Sequence, residues 1–365
     1  MAQGWNNEKN LGEKREIPDQ FFNWSGIFVS RAVEKEILMN RRMIFFAVIM
    51  LSIFSAGTVM AEEHKVQHKN AIVLAMFGTT VEPALKGLLN IQEKMQQAYP
   101  GIPVKIGFTS NIIRRIWQKR AADPAYAKAH PQVPSEILHV QGPLAAIANL
   151  QDAGYDSIVV QTTHIAPAEE FLDLSAYVDA LAGIDTIKAR FKPFHALTIG
   201  RPMLGTFGVI HPYGEDIKIA VKAMKADVDR ARQNKAALVY MGHGNDHFPS
   251  GGSYLQFAHE MRLAYPDVLT VVGTVEGYPG LDEVVQELKD AKVQTVYIRA
   301  FMIVAGDHAT NDMAGPDADS WKSTLEKEGM KVIPYLHGMG ENDQVAAIYV
   351  QHAADAASDA GIVLK

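Results

Sequence analysis

The sequence predicts an α/β protein built from two similar, doubly wound parallel-sheet domains with a cleft between them. Continuous apolar runs of strand length recur along the chain, and segments with helical spacing of apolar residues alternate with them. The order of these elements in the first half of the chain is repeated in the second half. Continuous rather than alternating apolar runs are typical of strands that a parallel sheet buries on both faces.

The first domain is predicted to span residues 69–200. It begins with the apolar run AIVLAMF, which stops at Gly78 and leads into a helix that starts near Pro83 and ends near Ala98. Proline is favoured in the first turn of a helix, which supports this start. Residues 121–134 are predicted to be rich in loops. The remaining strands are predicted at 104–108, 137–140, 157–162 and 196–199, and the remaining helices at 111–120, 143–153 and 167–181.

The second domain is predicted to span residues 201–365 and to repeat the first. AALVYMGHGN at 236–245 matches AIVLAMFGTT at 71–80, and TVYIRAFMIVAGDHA at 295–309 matches SIVVQTTHIAPAEEF at 157–171. The shared order of elements indicates duplication of a four-stranded unit, and the cleft between two like domains is the default ligand site. Strands are predicted at 236–241, 269–275, 293–304 and 331–336, and helices at 217–234, 253–264, 280–291, 321–328 and 343–360.

Residues 39–61 have the pattern of a secretory signal peptide. Arg41 and Arg42 precede an apolar run at 43–57, and the small residues at 58–61 predict cleavage after Ala61. Fifteen residues are fewer than the roughly 20 that a membrane-spanning helix needs, so we expect no membrane attachment after cleavage. Residues 1–38 are polar and are interpreted as an extension upstream of the natural start. We therefore expect a periplasmic protein.

Composition and motifs limit the classes of ligand and partner that we expect. The formal net charge is −6 and the body of the chain has no Lys/Arg run, so nothing favours nucleic acid as a partner. The chain has no cysteine, so an exported form has no disulfides, and any metal site must use imidazole and carboxylate ligands. No glycine-rich phosphate loop is present, and the GHG turn lacks the third glycine of a dinucleotide fingerprint, so we expect no nucleotide.

Three side chains of metal-binding type follow strands of the second predicted sheet. His243 stands between two glycines after the run at 236–241, Glu276 follows the run at 269–275, and His308 follows the run at 295–304. They are 33 and 32 residues apart, about one βαβ unit each, and ligands of open α/β sheets bind at the carboxyl ends of strands. His243 alone is also compatible with a turn histidine, and Glu276 with a residue that offsets a helix dipole.

Two further residues belong to this pattern. Asp307 either caps the helix that follows it or accepts a hydrogen bond from the His308 ring, as the outer partners of metal-bound histidines do. In the first domain, His164 follows the strand at 157–162 and lies beside Glu169 and Glu170.

The segments MGHGNDHF, GTVEGYPG and VAGDHA, together with AIVLAMFGTT and THIAPAEEF, resemble the class II tetrapyrrole chelatases. The similarity is greatest to the anaerobic sirohydrochlorin cobaltochelatase branch, which is related in fold to ferrochelatase, and it extends from residue 69 to the C-terminus. The resemblance implies a macrocycle in the cleft, no ATP requirement, and a metal site at His243 and His308 with Glu276 beside them.

This resemblance leads to a specific expectation of function. Co²⁺, with Fe²⁺ as a second candidate, accepts imidazole nitrogen and carboxylate oxygen, and three protein ligands leave positions open for the macrocycle. We expect His243 and His308 to hold the ion while Glu276 helps to bind it and accepts the two pyrrole protons. The substrate, sirohydrochlorin, carries many carboxylates, and the cationic candidates to bind them are Arg114, Arg115, Lys119 and Arg299.

The signal peptide keeps an alternative open. A periplasmic protein that binds or transports haem, another tetrapyrrole or a metal would use the same fold and cleft with little turnover. In that case a histidine outside the metal site, His164 or His139, is the candidate haem ligand. The sequence leaves open whether the chain forms a homo-oligomer.

Overall fold

The computed structural model describes residues 68–247 and 251–365. The predicted extension at 1–38 and signal peptide at 39–61 lie outside the described residues. Within the described part of the chain, no helix is long and apolar enough to cross a membrane.

The first sheet is parallel and has the strand order β2-β1-β3-β4. Its strands are β1 (Asn70–Met76), β2 (Val104–Phe108), β3 (Ser157–Thr162) and β4 (Ala196–Gly200). The helices of this half are α1 (Leu85–Ala98), α2 (Asn111–Ala121), α3 (Pro124–Ala129), α4 (Ser135–Leu138), α5 (Pro143–Asp152) and α6 (Glu169–Ala182).

The second sheet is also parallel, and its order β6-β5-β7-β8 repeats that of the first sheet position by position. Its strands are β5 (Ala237–Gly244), β6 (Thr270–Glu276), β7 (Thr295–Phe301) and β8 (Lys331–Tyr335). The helices are α7 (Tyr213–Ala223), α8 (Lys225–Gln233), α9 (Gly251–Ala264), α10 (Leu281–Asp290), α11 (Trp321–Lys327) and α12 (Asp343–Asp359). The predicted α/β fold with two similar parallel sheets is confirmed.

The strands form where the sequence is continuously apolar because both faces of each sheet are covered. Every residue of β1 after Asn70 is buried, and so is every residue of β3. Such strands have no solvent-facing side, so their sequence shows no alternation. A side-chain cap marks the start of some helices, as at α2, where the Ser110 side chain accepts a hydrogen bond from the backbone N–H of Ile113.

One predicted strand is wrong. Residues 137–140 lie in and just after helix α4, and only a single parallel bridge, between Gly107 and Gln141, continues the sheet at this edge. The carboxylate of Glu136 accepts a hydrogen bond from the backbone N–H of Ile106, at 3.1 Å. This side chain therefore occupies the edge position on β2 that another strand would need.

Two helical predictions also change. The predicted single helix at 217–234 is two helices, α7 and α8, which meet at Met224. The segment predicted to be loop-rich contains α3, which Asp123 caps through the backbone N–H of Ala125. Pro124 fills the first position of that helix, where no N–H is needed.

The last helix, α12, packs against the first sheet, on strands β3 and β4. The Tyr349 hydroxyl is buried there and lies 3.1 Å from the carbonyl oxygens of both Thr163 and His164. The chain thus returns to its first half after completing the second sheet. The division of the chain at residues 200 and 201 stays a prediction.

Candidate metal centre

His243 lies at the carboxyl end of β5, on a strand end that two glycines shape. Gly244 has a φ of +78°, and a Cβ there would lie 1.8 Å from the carbonyl oxygen of Glu276. At Gly242, a Cβ would lie 2.7 Å from the ring of the buried Tyr254. The missing side chain of Gly244 allows β5 and β6 to continue side by side to their ends, where Gly244 pairs with Glu276, and that of Gly242 leaves room for the Tyr254 ring.

Glu276 is consequently a neighbour of His243. One carboxylate oxygen of Glu276 lies 3.9 Å from the Nδ1 atom of His243, and both side chains are partly exposed. The Nδ1 atom also lies 3.1 Å from the carbonyl oxygen of Gly244. The two predicted site residues on β5 and β6 are therefore brought together.

His308 is the second imidazole at this place. It follows β7 and precedes a short π-helix, Ala309–Met313. Its ring centroid lies 5.0 Å from that of His243, and the ring planes are nearly perpendicular, at 87°. Two imidazoles on one ion, with metal–nitrogen bonds of about 2.0–2.1 Å and bond angles near 90–110°, have centroids about 4.5–5 Å apart. The separation of the two ring centroids therefore matches the distance between two histidine ligands of a single ion.

Asp312, rather than Asp307, is the partner of the His308 ring. The Nδ1 atom of His308 forms a short hydrogen bond with the Asp312 carboxylate, one turn further along the chain. Asp307 instead accepts a hydrogen bond from the Asn311 side chain, at 2.8 Å. Because Nδ1 is engaged by Asp312, the Nε2 atom of His308 is left as the nitrogen available to a metal.

Glu276, the expected third ligand, does not yet form a metal site together with His243 and His308 in the described part of the chain. Within residues 68–247 and 251–365, no three His, Asp or Glu side chains already surround one point at metal-binding distances. Of the two histidines, His243 is the one that Glu276 lies near. Glu276 therefore completes a three-ligand site only if its partly exposed carboxylate turns toward the ion.

A cavity of about 390 Å³ opens between the carboxyl ends of the two sheets, and His243 and His308 line it. Most of its wall is apolar. The first half of the chain contributes Phe77, Leu88, Ile112, Ile113, Ile116 and Ile165, and the second half contributes Tyr254, Phe301, Met302, Ile303 and Val304. Glu170 and Asp307 are its only carboxylates among the described residues.

The expected cationic lining is not found in this cavity. Within the described residues, no Lys or Arg lines it. Arg299 is buried away from it, and its guanidinium binds both carboxylate oxygens of Asp227 and the carbonyl oxygen of Gly338. Arg114 binds the backbone carbonyl of Thr109 and the side chain of Asn111.

His164 lines the same cavity from the first half of the chain. Its Nδ1 atom lies 2.6 Å from the hydroxyl of Thr162, and its Nε2 atom is covered and has no hydrogen-bond partner. Burial lowers the pKa of His164 to about 4, so the ring is neutral at physiological pH. As placed, neither ring nitrogen is open to a ligand, and haem ligation by His164 would require the ring to turn.

No pattern in the sequence indicates the role of Tyr254. Its ring packs on Gly242 and its hydroxyl is hydrogen-bonded to the backbone of Gly244, so it supports both glycines that flank His243. Burial raises the pKa of Tyr254 to about 12. The helical spacing of apolar residues predicts that Tyr254 lies on the buried face of its helix. It does not predict that this face packs on the strand end that carries His243.

The fold and the strand-end cluster together define a duplicated parallel α/β protein with a candidate metal centre at one sheet. The family model described as "Cobalt chelatase (CbiK)" matches residues 70–358. The chain belongs to this cobalt chelatase family.

Curated relatives match over nearly their whole length. The sirohydrochlorin cobaltochelatase CbiKC of Nitratidesulfovibrio vulgaris is 32% identical over 304 residues, which are 83% of this chain and 96% of the relative. The sirohydrochlorin cobaltochelatase of Salmonella typhimurium is 29% identical over 287 residues, or 78% and 95% of the two chains.

One solved structure of a chelatase also matches the chain, at low identity. The sirohydrochlorin chelatase SirB from Bacillus subtilis subspecies spizizenii, in complex with cobalt, has a TM-score of 0.49 and 15% identity. The similarity covers 80% of this chain and 96% of SirB.

Proposed function

We propose that this protein is a sirohydrochlorin cobaltochelatase, which inserts Co²⁺ into the macrocycle without ATP and releases two protons. Family membership and the names of both curated relatives support this activity. The observation that carries the proposal is the pair His243 and His308, whose ring centroids lie 5.0 Å apart on the wall of an apolar cavity. The Glu276 carboxylate lies 3.9 Å from the Nδ1 atom of His243.

The two histidines would hold the incoming ion. Co²⁺ accepts imidazole nitrogen, and a site with few protein ligands leaves positions for the pyrrole nitrogens to take over. The Asp312 carboxylate keeps the His308 ring in one tautomer and orientation. Because both imidazoles must be neutral to bind, we expect Co²⁺ affinity to rise with pH.

Glu276 is proposed to help bind the ion and to accept protons. Each insertion replaces two pyrrole N–H bonds with bonds to the metal, so two protons must leave the macrocycle. The Glu276 carboxylate is partly exposed, so it can pass protons on to solvent. The apolar walls would hold the macrocycle by burying its faces, at roughly 25 cal/mol per Å² of apolar surface.

The test is a spectrophotometric insertion assay with sirohydrochlorin and Co²⁺, Fe²⁺ or Ni²⁺. We expect His243→Ala and His308→Ala each to lower kcat/KM for Co²⁺ insertion at least a hundredfold, and Glu276→Gln to lower it less. His259→Ala changes an exposed histidine on α9 that does not line the cavity, and it should retain wild-type activity. Wild-type rates in both site histidine variants would overturn the proposal, and the Fe²⁺ arm tests that ion as a second substrate.

We also propose that the chain is exported to the periplasm, on the strength of the charged, apolar and small-residue segments at 39–61. N-terminal sequencing of the protein from a periplasmic fraction should begin after Ala61. A mature protein that keeps residues 39–61, or that stays in the cytoplasm, would contradict export.

A second candidate function is periplasmic binding or transport of haem or another tetrapyrrole, with His164 as the haem ligand. The observation that favours it is that His164 lines the same cavity as the histidine pair. An absorbance scan of the purified protein should then show a Soret band that His164→Ala shifts or removes. An unchanged Soret band in that variant would eliminate His164 as the ligand.

A further inference from the structure

Helix α2 combines an apolar face with a cationic edge at the mouth of the cavity. Ile112, Ile113 and Ile116 line the cavity, while Trp117 anchors the helix in the core and donates a hydrogen bond to the carbonyl oxygen of Thr79. Ile112 remains 71% exposed, so the helix presents a large apolar side chain with no protein partner over it. Such an exposed apolar stripe is typical of a surface that a ligand covers.

Two cationic side chains lie beside these isoleucines on α2. Lys119 follows Ile112 by two helical turns, and Arg115 follows it by three residues, so both lie next to the isoleucines on the helix surface. Both are exposed, and neither makes a hydrogen bond or ion pair with any residue in the described part of the chain. Neighbouring Arg120 differs because it donates to the carbonyl oxygen of Thr80 and stacks on Trp117.

The interior of the cavity cannot neutralise an anionic substrate. Its described lining has no Lys or Arg, and it includes the carboxylates Glu170 and Asp307. A tetrapyrrole with carboxylates around its rim can therefore bury its flat apolar ring inside, but its carboxylates must find positive charge outside the cavity. The cationic edge of α2 lies just outside the cavity wall, and it places unpaired positive charge beside the apolar surface of Ile112 and Ile116.

We propose that Arg115 and Lys119 bind the rim carboxylates of the macrocycle and so select highly carboxylated tetrapyrroles over those with few carboxylates. This inference rests on the proposed function in one respect, that the macrocycle occupies the cavity. The guanidinium of Arg115 suits bidentate contact with a carboxylate, and the flexible Lys119 reaches a second one. Contacts of this kind are exposed, so added salt weakens them.

The experiment measures equilibrium binding of two metal-free porphyrins by absorbance titration. Uroporphyrin carries carboxylates around its whole rim, and deuteroporphyrin carries few. Arg115→Glu/Lys119→Glu should raise the Kd for uroporphyrin about tenfold, since two exposed ion pairs are replaced by repulsion. The Kd for deuteroporphyrin should change less than twofold. Raising the salt concentration should weaken uroporphyrin binding to the wild type more than to the variant.

Lys222→Glu/Lys327→Glu is the matched control. It makes the same change in net charge at two exposed lysines on α7 and α11 that do not line the cavity. It should leave both Kd values within twofold of the wild type. Far-ultraviolet circular dichroism of both double variants checks that the helices are intact.

Three results would overturn the proposal: an unchanged Kd for uroporphyrin in the α2 variant, an equal loss for both porphyrins, or no binding of either porphyrin by the wild type. Failure of the proposed function would look different. In that case the wild type binds uroporphyrin through α2 but inserts no Co²⁺ into sirohydrochlorin.

Discussion

Gly244 and Glu276 lie directly opposite each other at the ends of β5 and β6, so close that a Cβ on Gly244 would come within 1.8 Å of the Glu276 carbonyl oxygen. Gly244, the residue after His243, is therefore packed directly against the backbone of Glu276, the proposed third ligand. The geometry of the candidate centre therefore depends on a position that has no side chain.

We expect Gly244→Ala to damage both stability and metal binding. The φ of +78° costs alanine about 1–3 kcal/mol, and the contact with the Glu276 backbone can be relieved only by separating the strand ends. Urea unfolding should show the loss of stability, and Co²⁺ titration should show weaker binding. Gly252→Ala is the control, because a Cβ there meets nothing within 4 Å and alanine is favoured within a helix. Equal effects of both changes would contradict the prediction.

Removing the partner of the His308 ring should weaken metal binding without unfolding the protein. Asp312→Ala frees the His308 ring to rotate, and losing such a partner typically lowers metal affinity roughly 10–100-fold. Asp319→Ala removes an exposed carboxylate from the same segment and should leave Co²⁺ affinity within twofold. Calorimetric Co²⁺ titration measures both. The interpretation fails if the two variants bind Co²⁺ equally well.

The strand ends were predictable from the sequence because parallel strands buried on both faces leave continuous apolar runs. His243, Glu276 and His308 follow three such runs, and the structure brings each of the last two near the first. Their metal-binding role stays a prediction. The sequence left two roles open for Asp307 and did not single out Asp312, because both are close to His308 in sequence and only the π-helix after His308 decides which one reaches its ring.

Other features depend on contacts between residues far apart in the chain. Arg299 was expected in the cleft because it lies in a strand near the site, but its carboxylate partner is 72 residues away in α8. The helix α4 replaced a predicted strand because Glu136 binds the edge of β2. Neither contact leaves a local pattern in the sequence.

The buried pair of Arg299 and Asp227 should control stability but not metal binding. Asp227 accepts hydrogen bonds from Arg299 and from the Tyr240 hydroxyl, and both members of the ion pair are almost fully buried. Asp227→Asn leaves a buried guanidinium without a counter-charge, which typically costs about 3–5 kcal/mol. Urea unfolding should show this loss while the Co²⁺ affinity of the folded protein is retained.

The control for that change is an exposed ion pair. Asp267→Asn breaks the contact of Asp267 with Arg232 on the surface, where such pairs contribute roughly 0–1 kcal/mol. A loss of less than 1 kcal/mol in Asp227→Asn would mean that the buried pair is not a major source of stability.

His164 should make the stability of the protein fall in acid. Burial lowers the pKa of His164 to about 4 in the folded state, against about 6.5 in the unfolded chain. Between these values the unfolded chain binds a proton that the folded protein does not, so unfolding becomes easier as the pH falls from about 6.5 to 4. The full shift corresponds to roughly 3 kcal/mol, and above pH 7 this contribution is absent.

The comparison that isolates His164 is with His164→Gln, which cannot take up this proton. Urea unfolding at pH 7 and pH 4.5 should show that the wild type loses about 2–3 kcal/mol more than the variant over this range. All other titrating groups are common to both proteins, so their contributions cancel in the difference. His259→Gln, at an exposed helical position, should follow the wild-type pH dependence. If wild type and His164→Gln lost stability in parallel, the His164 ring would have to be accessible to protons in the folded protein.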